Sequence, residues 1–192
     1  MDPINIIIGL NIIATFGANV SGAKKGLKTK MGVAKEKPDT YLQKLPVFLS
    51  TLTLIGLILG VFQIGTLEYI KEYNSYRYIG MGVYLLFSWI QIWALKNLGE
   101  NYSQDILIKK SHQLVTSGPF KIIRHPQYVS QILLDLGAAT ATMSYIVAPL
   151  SIIQIPFILL RASVEDKLLA KHFGDEFEQY KKRSGFVLPF IG

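Results

Sequence analysis

The sequence predicts an all-α integral membrane protein with five transmembrane helices, and three observations carry that expectation. Half of the 192 residues are hydrophobic and only 17% are charged, too little polar surface to cover a soluble globule of this size. Apolar segments recur along the chain, each near the ~20 residues that a membrane-crossing helix needs. Lysine and arginine fall between those segments in alternation, as the positive-inside bias requires.

The first segment, 3–23, lies in a sequence that starts MDPINIIIGLNII. It lacks a cationic leader and a small-residue cleavage site, so it reads as a span and not as a removable signal. Segments 45–67 and 78–98 meet the length requirement directly. The apolar region 128–160 is too long for one crossing and contains Pro149; it divides into spans 128–145 and 147–162 around a tight turn near 144–148. Cations test this count. Residues 23–44 hold seven lysines, 96–127 hold five cations and 161–192 hold six, whereas 67–77 hold only Lys71 and Arg77. This places the N-terminus outside, with the loop 99–127 and a helical tail 161–192 in the cytoplasm. Tyr73, Tyr76 and Tyr78 fit an aromatic belt at the outer interface. No linker or repeat interrupts the chain, which reads as a single domain, 1–192.

Several function classes fall away. The chain has no cysteine, which removes thiolate chemistry and disulfides. The net charge of +7 flanks apolar segments, a pattern for anionic lipid headgroups, and no nucleic-acid partner is expected. His112, His125 and His172 are widely spaced and form no HExxH pattern, so no metal is expected either. Gly56 with Gly60, and Gly80 with Gly82, read as helix-packing positions. Asp135 is an ionisable group at membrane depth with Gln131 one turn away. It faces either a cavity or a polar partner, and both readings stay open.

The polar segments that remain are LGENYSQDILIKKSHQLVTSGPFKIIRHPQY and RASVEDKLLAKHFGDEFEQYKKRSGFVLPFIG. Pro126 suits the first turn of a helix, placing the opening at 125–127. Free amides there favour an anionic group. Arg161 and Glu165, four residues apart, share a helix face. They form either a surface ion pair worth ~0.3–0.5 kcal/mol or a guanidinium fork for a substrate carboxylate with Glu165 beside it. Spacing alone does not choose between the two.

These residues carry a resemblance. His112, Leu114, Val115, Thr116, Ser117 and Gly118, then Arg124, His125, Pro126 and Tyr128, form one ordered motif. Arg161, Glu165 and Asp166, then Phe173, Gly174, Glu176, Tyr180, Lys181, Lys182, Arg183 and the terminal LPFIG, form a second. Over roughly 98–192 the chain resembles the isoprenylcysteine carboxyl methyltransferase family, which shares its C-terminal core with the phospholipid N-methyltransferases.

The resemblance implies S-adenosyl-L-methionine held between loop and tail, with a solvent path and a separate opening to the bilayer. His112, Gln113, Leu114 and Val115 would hold the adenosine through backbone groups. Gly118, Phe120 and Arg124 would belong to the same cofactor-binding set, and His125, Pro126 and Tyr128 would line the methionine end. Glu165 and Asp166 would close the pocket, and Arg161 would meet the acceptor carboxylate, making Arg161 and Glu165 the catalytic pair. Phe120 stands where tyrosine is common in the family, and Asp166 replaces its second glutamate. The implied activity is methyl esterification of an isoprenylcysteine-like lipid entering from the bilayer. The site would lie on the cytoplasmic face, of the plasma or inner membrane in a prokaryote or the endoplasmic reticulum in a eukaryote. The alternatives are a lipid amine N-methyltransferase, with Glu165 or His125 as base, and a non-catalytic membrane scaffold or binding protein.

Overall fold

Five long helices follow the apolar segments: α1 Pro3–Lys30, α2 Leu45–Val61, α3 Asn74–Leu98, α4 Pro126–Thr142 and α5 Val147–Phe173, with a short α6, Asp175–Lys181, in the tail. The computed structural model describes residues 2–30, 34–189 and 191–192, the side chains of 18–30 excepted. Four of the lysines counted above, Lys24, Lys25, Lys28 and Lys30, therefore lie outside the described side chains, as does Phe190 of LPFIG. Among the described residues, Tyr41–Val61, Lys71–Asn101 and Val147–Phe173 are long and apolar enough to cross a membrane.

Local chemistry sets the helix ends. Asp2 caps α1 by accepting the amides of Ile4 at 3.0 Å and Asn5 at 3.2 Å, satisfying donors that an N-terminus otherwise leaves open. Helix α2 stops at Val61 and not at 67, because Gln63 and Gly65 take positive φ of 62° and 71°. A Cβ on Gly65 would stand 2.1 Å from Ile146, so this turn needs glycine. Helix α3 begins at Asn74, four residues before the expected 78. The break between α4 and α5 is made by Met143, with φ 50°, and by Ser144, whose Oγ accepts the amides of Ile146 and Val147. Pro149 lies harmlessly in the first turn of α5, where a missing N–H costs little.

Helices α3 and α4 meet backbone to backbone. A Cβ on Gly80 would stand 2.7 Å from the Ala141 amide, and one on Gly137 would stand 2.7 Å from the Tyr84 amide. Gly56 and Gly60 pack more loosely against side chains of the 142–147 turn, at 3.1 Å from Ile146 and 3.2 Å from Thr142, whereas Gly82 faces open space. The packing reading therefore holds for Gly56, Gly60 and Gly80 and is corrected for Gly82.

Arg77 also departs from expectation. It is no loop cation but a buried residue of α3, 2% exposed, whose guanidinium takes both carboxylate oxygens of Asp2 at 3.0 and 2.6 Å. Its Nε donates to Ala141 O, and its charge lies 3.6 Å from the centroid of the Tyr69 ring. This end of the bundle is locked by an ion pair that joins α1, α3 and α4.

At the opposite end the all-helical expectation needs one amendment. Strands β1 (Ala34–Glu36) and β2 (Ile108–Lys109) pair antiparallel, stitching the α1–α2 connection to the loop after α3. Leu42, Ile106, Ile108 and Leu168 form a small apolar cluster beneath that junction, which fixes the loop against α5.

Candidate active site

Helix α5 runs from the apolar bundle into the tail with Pro156 in its interior, and it carries Arg161 and Glu165 one turn apart on the tail side of that proline. Facing it, α4 opens at Pro126 with His125 as its N-cap, as Pro126 led one to expect. Between these two helices and the loop lies a cavity of about 470 Å³, within the ~300–1,000 Å³ common for small-molecule sites. Its lining includes His112, Gln113, Leu114, Val115, Phe120, Arg124, His125, Tyr128, Arg161 and Glu165. Gly118, Pro126 and Asp166 do not line it. Gly118 lets the loop press on Asn97, where a Cβ would stand 2.4 Å from the amide oxygen; Pro126 starts the helix.

Asp166 stands behind the wall. One oxygen is 2.8 Å from His125 Nε2, the other accepts Arg124 Nε at 3.0 Å. Arg124 in turn donates to Ser184 O at 2.6 Å and to Gly192 O at 3.2 Å, so one carboxylate anchors the loop, α5 and the C-terminal residues together. The second nitrogen of His125 lies 3.9 Å from Glu165, and its ring stacks on Tyr128 with centroids 5.5 Å apart. Tyr180 closes the floor by donating to Phe120 O at 2.6 Å, and burial pushes its phenol up to about 12.

Arg161 is the chemical centre of the cavity. It is 5% exposed. Nε donates to Tyr128 Oη at 2.9 Å, Nη1 to the carbonyls of Leu42 at 2.9 Å and Gln43 at 3.3 Å, and Nη2 to that of Gln104. Those carbonyls are presented because the Gln43 amide side chain is itself clamped to the backbone of Ile106. Four neutral acceptors meet five N–H donors, leaving one donor open and the positive charge without a direct ion pair; Glu165 reaches it only through the Tyr128 hydroxyl that both residues flank. Among the described residues no carboxylate lies within ion-pairing distance. The surface ion pair with Glu165 is thus corrected: burial takes Arg161 away from water, and Tyr128 stands between the guanidinium and Glu165. Of the fork, one N–H remains open to a ligand, since all three guanidinium nitrogens already have partners.

The segment 112–115 has groups to spare. The Gln113 amide is held by Asn101 at 2.8 Å, and the backbone groups of Leu114 and Val115 make no hydrogen bond among the described residues. His112 Nδ1 is buried without a partner. Burial, reinforced by Lys109 and His172, depresses its pKa to about 4, so the ring is neutral at physiological pH. The lining also draws on Asn101, Tyr102 and Gln104 from the loop and on Gln91 from α3. Sequence reading missed these; only their place in a polar, chemistry-bearing loop pointed to the first three.

Fold and cavity define a helical membrane protein whose loop and tail enclose a small-molecule chamber at one end of the bundle, open toward the helices. Residues 78–171 match the model of the isoprenylcysteine carboxyl methyltransferase family. Over that core, just under half of its length, the chain is similar to the isoprenylcysteine carboxyl methyltransferase family. It is 29% identical to a protein-S-isoprenylcysteine O-methyltransferase of Schizosaccharomyces pombe, over 62% of this chain and 52% of that protein. It is 28% identical to a probable one of Oryza sativa, over 64% and 65% of the two chains. Over 42% of its length it is also 37% identical to the cobalt-zinc-cadmium resistance protein CzcN of Cupriavidus metallidurans, covering 38% of that protein. A solved structure of the eukaryotic intramembrane Ras methyltransferase superposes with a TM-score of 0.58 at 20% identity, over 76% of this chain and 52% of that one, which supports the fold. The chain spans about 38–65% of the length of the curated relatives named here.

Proposed function

We propose that the protein is an S-adenosyl-L-methionine-dependent methyltransferase that esterifies the carboxylate of an isoprenylcysteine-like lipid. The observation that carries the proposal is the buried charge of Arg161. A guanidinium withdrawn from water without a direct ion pair is costly, and a substrate carboxylate entering the cavity supplies that pair. The match to the family model, and relatives named as isoprenylcysteine O-methyltransferases, point the same way. In this reading all five long helices cross the membrane, with the N-terminus outside and the cavity on the cytoplasmic face.

The residues present fit the cofactor. The unbonded backbone of Leu114 and Val115 offers donors and acceptors to a base edge, the neutral His112 ring adds a polar atom with no other partner, and His125, Tyr128 and Glu165 line the far end. S-adenosyl-L-methionine, when bound, supplies an electrophilic methyl on a sulfonium centre. The chain's part is then largely positional. Arg161 holds the acceptor carboxylate by charge and its remaining N–H, Tyr128 fixes the Arg161 head, and Glu165 with His125 borders the methyl-donor side. A carboxylate arrives ionised, so no residue has to remove a proton. Holding two reactants in line and excluding water can supply ~7–11 kcal/mol of barrier reduction, which suits a site with so few reactive groups.

One arrangement favours a second reading. His125 lies 2.8 Å from Asp166 and 3.9 Å from Glu165, a row of groups that carries a proton away from an amine acceptor once the longer gap closes. Amine methylation of a lipid is therefore the alternative. The proposal is tested by giving membranes that contain the protein methyl-labelled cofactor together with farnesylcysteine or phosphatidylethanolamine. Label in the farnesylcysteine product supports it; bound cofactor with no label in either lipid contradicts it and supports a binding protein.

A further inference from the structure

The cavity does not end at Arg161. It continues between α1, α2, α3 and α4 into an arm lined by apolar residues such as Ile12, Leu54 and Leu57, but also by Ser50, Gln91, Gln131 and Asp135. Asp135 is 4% exposed. Its Oδ2 accepts the amide of Gln131 at 2.7 Å and that of Gln154. Gln131 is held by Gln91 at 2.7 Å, and Gln154 by Ser50 at 3.2 Å. Four helices thus converge on one oxygen of one carboxylate. The other oxygen, Oδ1, accepts no hydrogen bond among the described residues, and it belongs to a side chain that borders the cavity.

A pocket for a plain hydrocarbon tail has no use for such a group, because a buried polar atom facing only hydrocarbon loses the hydrogen bonds it had with water. Position is informative as well. Asp135 lies seven residues beyond Tyr128 on α4, and Gln154 seven residues before Arg161 on α5. At 1.5 Å per residue that is about 10 Å deeper along the bundle, on the same helix faces. We propose that the membrane-deep arm is a second polar subsite, in which Asp135 Oδ1 pairs with a hydroxyl group carried on the acceptor's chain about 10 Å from the methylated carboxylate. Because Oδ2 is saturated by two amides, Oδ1 accepts when the carboxyl is ionised and donates when it is protonated. A hydroxyl satisfies both states; an ammonium satisfies only one.

This inference rests on the methyltransferase reading for the acceptor's head but not for its chain. The test compares two carboxylate acceptors that differ only in a chain hydroxyl about 10 Å from the head, in the wild-type chain and in Asp135→Leu, with retention of labelled S-adenosyl-L-methionine as the check that each variant is folded. The expected result is a wild-type preference for the hydroxylated acceptor of roughly 10–100-fold in kcat/KM, the size of one buried hydrogen bond, which collapses to near unity in Asp135→Leu and survives in Asp135→Asn. If neither acceptor is methylated, the acceptor reading fails, and equilibrium binding of the two labelled lipids decides the subsite by the same ratio. Equal handling of the two lipids by the wild type, by turnover or by binding, means that water fills the arm and overturns the proposal. So does a preference for an ammonium-bearing analogue over the hydroxylated one.

Discussion

His125 Nε2 and Asp166 Oδ1 stand 2.8 Å apart, while the other oxygen of the same carboxylate takes Arg124. Asp166 is therefore a positioning residue that aims the cavity wall from behind. Asp166→Asn leaves the shape but weakens both charged contacts, and a cofactor affinity about 10-fold lower is expected, in keeping with ~1–3 kcal/mol for a charge-assisted bond. Asp166→Glu should restore most of it, since the family's usual residue there is glutamate. Equilibrium binding of S-adenosyl-L-methionine measures both.

Arg77 makes a second prediction, at the far end of the bundle. Arg77→Met strands the Asp2 carboxylate and the Ala141 carbonyl, and breaking a buried pair of this kind costs ~3–5 kcal/mol. Thermal unfolding in detergent should register the loss, with cofactor affinity in the surviving folded fraction unchanged. Arg77→Lys should rescue little, because a lysine cannot grip both Asp2 oxygens and also reach Ala141 O.

The Gly80–Gly137 crossing gives a third. Gly80→Ala places a methyl 2.7 Å from the Ala141 amide, so α3 and α4 must separate. The expected cost is ~1–3 kcal/mol, visible as a lower unfolding temperature. Gly82→Ala, with nothing near its added methyl, is the matched control and should be neutral or slightly stabilising through helix propensity.

His112 sets a pH dependence. Its folded pKa of about 4 lies below the ordinary 6.5, so the unfolded chain binds this proton first. Its contribution to stability is fully present above pH 6.5 and is lost as pH falls from 6.5 toward 4. The midpoint of chemical unfolding should fall across that window in the wild type and fall less in His112→Gln.

Much of this was legible in the sequence, and what was not has a common cause. Apolar length marked α1 to α5, Pro126 marked the start of α4, and the two motifs assembled around one cavity because loop and tail flank the same two helices. The premature end of α2 was hidden, since Phe62, Ile64 and Leu67 continue an apolar run while Gln63 turns the backbone. Long-range pairing was hidden as well. Nothing local says that Arg77 belongs to Asp2, that Gln154 completes Asp135, or that Arg161 spends four donors on neutral oxygens. Each depends on residues brought together only by the fold.

The central claim is that the acceptor meeting Arg161 is a carboxylate. The most direct measurement is alkaline treatment of the lipid product labelled from methyl-labelled S-adenosyl-L-methionine. The account predicts that the label leaves as methanol, the mark of a methyl ester, and that Arg161→Met abolishes its incorporation. Label that stays on the lipid through alkali is N-methylation, and contradicts it.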